Sequence, residues 1–358
     1  MFAMLRLTRR KSTVAVRSHA IRLLLGAVLG LGAMPAHAED RVWSARARTA
    51  VDYLDAQWGK PADWNGVGGW QRFVIVDALI DYERRTGDRR LSPKIGAAVR
   101  NRAGLALNDD ALWAIIASVH AWQVDRDPAL LDYATSTYRR LVTTYWDDHC
   151  GGGLWWDPAR SYKNAITNEL LIYASTQLFL ATGEGSYRDW ALRGWSWFEQ
   201  SSMIGADGLV NDGLDAACRN NGQPRFTYNQ GVLLGGLSDL TKITGDPSYR
   251  MAAVKTALAA ARGLSTQDGI LKEPVPIGDD GLMFKGIFAF HLGHLLEDMG
   301  EGPERTELMA WARVNADSVW RLSADGTRAI DGDWAGDASA SGAATQASGI
   351  AMMLAAGT

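Results

Sequence analysis

Gly231-Val232-Leu233-Leu234-Gly235-Gly236-Leu237, apolar or small on every side, runs on to Thr244-Gly245-Asp246. A helix with no polar stripe is buried nearly all round. The tripeptide after it reads as punctuation. Glycine supplies the left-handed residue that ends one helix, and the acid, with Pro247 behind it, starts the next. The same mark recurs as Thr86-Gly87-Asp88 and Thr182-Gly183-Glu184, and more loosely as Met299-Gly300-Glu301. Gly183 and Gly245 lie 62 residues apart, and Gly245 and Gly300 lie 55 apart. The 96 residues from Gly87 to Gly183 hold two units, with Asp125-Arg126-Asp127-Pro128 as the turn between them. Repeats at such spacings mean helical hairpins stacked in an array.

Reading outward from these turns predicts twelve helices, at about 43–57, 71–85, 91–103, 110–122, 129–145, 164–181, 186–200, 228–243, 247–262, 284–298, 303–322 and 339–356. No alternating strand pattern competes. Six hairpins suggest an all-α fold, the closed double ring of an (α/α)6 toroid. The helix before each turn, as in Ala111-Leu112-Trp113-Ala114-Ile115-Ile116-Ala117 and Gly286-Ile287-Phe288-Ala289-Phe290, is apolar enough for an inner ring. The helix after each turn is more charged and should lie outside. Short turns then occupy one face, and the long loops 58–70, 104–109, 146–163, 201–227, 263–283 and 323–338 gather on the other. Six inner-helix N-termini, with their partial positive charge, should ring one mouth. Binding is expected there, on loops held by a rigid scaffold.

The first 38 residues read differently. Six basic and no acidic side chains precede the apolar run Leu23–Ala33, and Ala36-His37-Ala38 offers a cleavage site. That is the pattern of a secretory signal peptide cut after Ala38, leaving 39–358 as one toroid domain that is secreted or periplasmic. The remainder holds 31 basic against 40 acidic side chains, which argues against nucleic acid as a partner. No later stretch is long and apolar enough to span a membrane. A soluble monomer is expected. In an oxidising compartment Cys150 and Cys218 can pair, closing a loop of roughly 70 residues and contributing about 4 kcal/mol; two free thiols are the other reading. All fifteen tryptophans lie beyond the leader, several in Gly/Asp-rich loops, where exposed aromatics suit flat ligands such as sugar rings.

Asn108-Asp109-Asp110 opens the second inner helix at the mouth. An N-cap with acid in the first turn is one reading, worth about 1 kcal/mol. The other is glycosidic catalysis, which needs two carboxyl groups, about 5–5.5 Å apart in retaining enzymes. Neighbouring residues at a helix start can reach that separation. The helix N-terminus favours one ionised group, while like-charge repulsion raises the pKa of the other. The loop from Trp146-Asp147-Asp148-His149-Cys150 through Gly151-Gly152-Gly153-Leu154-Trp155-Trp156 leads into Lys163, Asn164 and Asn168, which could offer donors to hydroxyls. Asp147 and Asp148 are rival catalytic carboxylates.

Taken together, Asp-Asp at a helix start, Cys-Gly-Gly-Gly-Leu-x-Trp, Tyr162-Lys163-Asn164 with Asn168, Asp212-Gly213, Cys218, and Tyr228-Asn229 with Gly231 resemble glycoside hydrolase family 76. Those are endo-α-1,6-mannanases and related fungal cell-wall mannosidase-like transglycosidases. The resemblance runs from Trp70 to the last helix. It implies the same toroid, with no cofactor and α-mannan or manno-oligosaccharide as substrate. It implies Asp109 as nucleophile and Asp110 as general acid/base. It places Trp70, Asn168, Asp212, Tyr228 and Asn229 in the cleft, where Trp155 as a stacking face and Lys163 and Asn164 as donors are expected to join them on the substrate, and it supports the Cys150–Cys218 bridge. Ala111-Leu112-Trp113 departs from the family, which often has Gln or Ser and then aromatics after the aspartates.

Other functions compete. A transglycosidase would pass the sugar to a hydroxyl instead of water. An epimerase on the same toroid would use His291 or His294 as base, and a non-catalytic module would bind glycan with the aromatic mouth alone. His291 and His294 share one helix face, with Glu297 a turn on, but a third ligand and an open coordination position are not evident, and core histidines are expected. Asp279-Asp280-Gly281 and Asp331-Gly332-Asp333 read as turns rather than calcium loops.

Overall fold

The computed structural model describes residues 36–60, 64, 67–276, 278–336 and 340–358. The expected leader lies outside these residues, apart from its last three. Twelve α-helices are present among the described residues: α1 Ala36–Trp58, α2 Gln71–Thr86, α3 Ser92–Arg100, α4 Asp109–Asp125, α5 Pro128–Tyr145, α6 Ala165–Thr182, α7 Gly185–Gln200, α8 Thr227–Thr244, α9 Pro247–Gly263, α10 Phe284–Asp298, α11 Pro303–Leu322 and α12 Ala343–Ala356. The long loops carry only isolated antiparallel bridges, such as Asn164 to Gly213. None of the described helices is long and apolar enough to cross a membrane.

The even-numbered helices form the inner ring. Each packs on the next, α2 on α4, α4 on α6 and so on, and α12 closes back onto α2. The odd-numbered helices pack outside, α3, α5, α7, α9 and α11 each against the inner helix preceding it and α1 against α12. Burial follows the apolar pattern. In α4 every residue from Ala111 to Ala121 is buried, and in α6 every residue from Ala165 to Leu178. In α5, by contrast, burial is confined to a stripe containing Leu130, Ala134, Tyr138 and Leu141. Close helix approach is made possible by glycine. A Cβ on Gly231 of α8 would stand 2.5 Å from the Phe288 Cα of α10, and one on Gly286 of α10 would stand 2.5 Å from the Ser348 Cα of α12.

The turn chemistry works as the repeat suggests. Gly87, Gly183 and Gly245 take φ of 72°, 73° and 77° as left-handed helix ends. Arg126 adopts the same conformation at φ 57° in the turn that lacks glycine. Asp127 and Asp246 cap α5 and α9 by accepting the backbone N–H of Ala129 and Ser248. The loose fourth copy behaves otherwise. Met299 ends α10 in extended conformation, and Gly300 does not go left-handed. The last helix starts at Ala343 rather than 339, because Gly342 and Thr345 form its capping contacts.

Cys150 and Cys218 form a disulfide with Cα atoms 5.3 Å apart, tying the loop between α5 and α6 to the loop between α7 and α8. Gly231→Ala forces a carbon into backbone atoms that have no rotamer with which to yield. It should cost about 1–3 kcal/mol, read as a lower urea midpoint at unchanged slope. Gly300→Ala, whose added carbon meets nothing within 4 Å, should leave the midpoint where it is.

Candidate active site

The mouth holds a cavity of about 230 Å³. Five inner helices meet it at their N-terminal ends: Trp70 just before α2, Asp109 and Trp113 of α4, Asn164 and Ile166 at the start of α6, Tyr228 of α8, and Phe284 of α10 with Asp280 before it. The loops add Trp156, Tyr162 and Asp212. The anion-favouring ends of these helices therefore face one small volume.

Asn108 caps α4, its side-chain oxygen accepting the Asp110 backbone N–H at 3.2 Å. That cap fixes the two aspartates on the first turn; Asp109 lines the cavity, and Asp110 stands next to it without lining it. The indole Nε1 of Trp156 donates to Asp109 Oδ1 at 2.9 Å. Burial drives the Asp109 pKa up first and the Asp110 charge second, while the Trp156 indole and the backbone N–H groups of Asp109 and Asp110 pull it down; it stands at about 7. Asp110 is raised too, by burial and then by the Asp280 charge. Its Oδ2 faces Gly69, where an added Cβ would lie 3.9 Å away. Such a pair holds a proton near neutrality, which is what acid–base chemistry on a glycosidic oxygen needs.

The walls are aromatic. Trp70 stacks on Trp113 with centroids 5.7 Å apart, and Tyr228 lies parallel to Phe284 at 3.9 Å. Trp70 Nε1 and Gln71 Nε2 both donate to Asp280 Oδ1 at 3.3 Å, which brings that carboxylate to the rim. Asp212 accepts from the Tyr162 hydroxyl at 2.6 Å and from Asn229 Nδ2 at 3.2 Å. Burial and then the Asp212, Asp109 and Glu169 carboxylates hold the Tyr228 phenol well above its ordinary range, so it remains a donor. Flat faces edged by carboxylates and phenols suit a pyranose ring and its hydroxyls.

Of the residues expected on a substrate, Trp70, Asn164, Asp212 and Tyr228 line this cavity with Asp109. Four others do not, and each has a physical reason. Trp155 is buried, its Nε1 donating to Asp147 Oδ2 at 2.7 Å and its ring stacked on His149; the neighbouring Trp156 takes the cleft position. Lys163 is 2% exposed, with its ammonium turned into the Gly-rich loop. Asn168, also buried, brackets Leu154 by accepting its N–H and donating to its carbonyl. Asn229 is fully buried behind Asp212.

The rival carboxylates are placed elsewhere. Burial pushes Asp147 up, but hydrogen bonds from Lys163 and Trp155 and the Lys163 charge outweigh it and hold it at about 2. Asp148 is almost wholly exposed. His291 lies two turns down α10 against Tyr173, beside a small void beneath Trp113 and away from the mouth. His294 is a further turn on, near Asp81. Asp331 and Asp333 form turns by accepting the Asp333 and Ala335 N–H groups. Among the described residues, the cluster with metal-ligand spacing is His149, Cys150 and Cys218, and the bridge occupies both sulfurs. Sequence reasoning missed Trp156, Tyr162, Asp280 and Phe284. Trp156 adjoins the quoted Trp155, and Asp280 was read as a turn.

The chain is similar to known proteins. The mannan endo-1,6-alpha-mannosidase DCW1 of Saccharomyces cerevisiae is 28% identical over 296 residues, 74% of this chain, and the chain spans 64% of that protein's length. The GH76A alpha-1,6-mannanase of Salegentibacter sp. HEL1_6 superposes with a TM-score of 0.78 at 23% identity, covering 88% of this chain and 98% of the other. An inactive variant of that mannanase, with two consecutive aspartates changed to asparagine, is known in complex with alpha-1,6-mannotriose; it gives a TM-score of 0.77 at 23% identity over 88% of this chain and 99% of its own. The model of glycosyl hydrolase family 76 matches residues 44–357. With nearly all of both rings inside that match, the chain belongs to glycosyl hydrolase family 76.

Proposed function

We propose that this protein is a retaining glycoside hydrolase that cleaves α-1,6-mannosidic linkages in mannan-type polymers or glycoconjugates. The observation that carries the reading is Asp109 in the cavity wall with its proton held near neutrality and Asp110 next to it on the same capped turn. The relatives support the substrate: the yeast protein is named as a mannan endo-1,6-alpha-mannosidase, and the inactivated Salegentibacter mannanase binds alpha-1,6-mannotriose. That a consecutive aspartate pair was changed in that inactive variant supports the choice of Asp109 and Asp110.

In this reading Asp109 attacks the anomeric carbon while Asp110 protonates the departing oxygen, and Asp110 then takes a proton from the attacking water. The Trp156 donor is on Asp109, which favours the anion there. Asp110 has the Asp280 charge beside it, which favours the protonated acid. The push that Asp110 exerts on Asp109 exists only while Asp110 is charged. With the proton on Asp110, Asp109 is freer to ionise. The pair therefore titrates as one unit. Trp70, Trp113, Tyr228 and Phe284 would seat the sugar, and Asp212 and Asn164 would take its hydroxyls. The protein would act as a monomer, exported by its first 38 residues.

Linkage-defined manno-oligosaccharides, read by product mass, test the substrate. The expected result is cleavage of α-1,6 chains with retention at the new anomeric centre. Inverted product, or turnover confined to another linkage, removes the proposal. Added sugar acceptor separates hydrolysis from transfer by the appearance of longer products.

Asp109→Asn and Asp110→Asn should each lower kcat by roughly a thousandfold or more. Stability should respond in the opposite sense. The folded pKa of Asp109, about 7, lies above its ordinary 3.8, so its contribution is fully present below the lower value and lost as pH rises through the higher one. Asp109→Asn should therefore raise the melting temperature at pH 8 and leave it nearly unchanged at pH 4.

The proton on Asp110 sets the alkaline limb of kcat/KM, which lies above the ordinary carboxylate range because burial and then the Asp280 charge raise that group. Asp280→Asn removes a charge that raises Asp110 and should move that limb to lower pH. A limb that stays put, or moves upward, counts against Asp110 as the proton donor.

A further inference from the structure

The ammonium of Lys163, expected on sequence grounds to meet sugar hydroxyls, has no N–H left for them. It donates to Asp147 Oδ1 at 2.8 Å, to the His149 carbonyl at 2.7 Å and to the Gly152 carbonyl at 2.6 Å. An ammonium has three donors, and all three are used inside one loop. It also lies 4.7 Å from the centre of the Trp155 ring, and its side chain is 1% exposed. A single cation thus gathers acceptors from residues 147, 149 and 152, as a bound metal ion would.

What that loop delivers is Trp156. Around the Lys163 node, Trp155 is fixed twice, by its indole on Asp147 Oδ2 and by its backbone N–H on the Tyr145 carbonyl. The backbone N–H of Trp156 then bonds the Tyr162 carbonyl at 2.8 Å, next to Lys163 in the chain. Its side chain is 40% exposed and makes one hydrogen bond to protein, the 2.9 Å contact to Asp109. Among the described residues, no second hydrogen bond holds so exposed an indole. Its place is inherited from the backbone of a loop that starts and ends on the Lys163 node.

We infer that Lys163 is a positioning residue, whose buried ammonium shapes the 146–156 loop so that the Trp156 indole N–H meets Asp109. It touches neither substrate nor reacting atoms, and the inference rests on the proposed role of Asp109 only for its effect on turnover. Asp109 is faced by Asp110 on its own helix, by Asp212 and Tyr228 across the cavity, and by Asp280 and Tyr162 at its edges. Of the side chains around it, Trp156 provides the hydrogen-bond donor.

The test uses the full folded chain labelled with 5-fluorotryptophan, in which Trp156→Phe identifies the Trp156 fluorine resonance. In the parent that resonance should titrate with a midpoint near 7, following Asp109. In Lys163→Met the Trp156 titration should vanish, and kcat on an α-1,6-manno-oligosaccharide should fall up to about a hundredfold with KM little changed. Trp156→Phe should lose kcat similarly, and the double variant should be no worse than the poorer single one. Should Lys163→Met not fold, Asp147→Asn removes the counter-charge yet keeps an acceptor, and should shift the same resonance in the same sense. A Trp156 titration left intact in Lys163→Met, or in Asp147→Asn when that is the variant that folds, overturns the inference, as do losses that multiply in the double variant. A parent without mannanase turnover would count against the proposed function, while the fluorine titration would still decide the link from Lys163 to Trp156.

Discussion

Ring closure governs this molecule. Six helices without polar stripes can hide their surfaces only against one another, and once α12 meets α2 all six must run the same way. Same-way helices put their unsatisfied N–H groups at one end. The chemistry of the mouth descends from that geometry: two aspartates on a capped first turn, where an anion is welcome, are crowded so that one of them retains a proton. Burial and then the Asp110 charge outweigh the Trp156 indole and the helix-end N–H groups there, and that excess lifts Asp109 to about 7.

The loops complete what the ring begins. Their backbones cannot be satisfied by helix ladders, so buried polar side chains do that work. Asn168 brackets Leu154, Gln230 brackets Val210, and Gln346 donates to the Ala50 carbonyl while accepting the N–H of Ile330. These amides sit a turn or less inside α6, α8 and α12 and reach up to the connecting segments, Gln346 also reaching α1. Lys163 belongs to the same class of device, with a charge in place of an amide.

How much of this could be read from residues alone divides along a physical line. Helices are periodic, and Gly87, Gly183 and Gly245 end theirs for a reason local to the chain, so ring and register were legible. The turn after α10 was misread because Met299 ends that helix in extended conformation, which no glycine announces. At the site, residues on helix starts were legible: Asp109, Asn164 and Tyr228 stand where their helices place them. Loop residues were not. Trp155 and Trp156 are adjacent and chemically identical, yet one is buried on Asp147 and the other reaches Asp109. Only the three-dimensional path of the glycine run decides which. Asp280 gained its place through Trp70 and Gln71, more than two hundred residues away, a contact that no local pattern records.

The bridge between Cys150 and Cys218 carries a consequence for how such toroids diversify. Each mouth loop is anchored at both ends on a stiff frame, so in general one can lengthen or shorten without disturbing its neighbours. The covalent tie removes that freedom from two of them. The segments 146–163 and 201–227 can drift only in concert, whereas the one between α9 and α10 is held by hydrogen bonds alone, such as those of Asp280 and Glu273. New substrate preferences should therefore arise most easily on the untethered side of the ring.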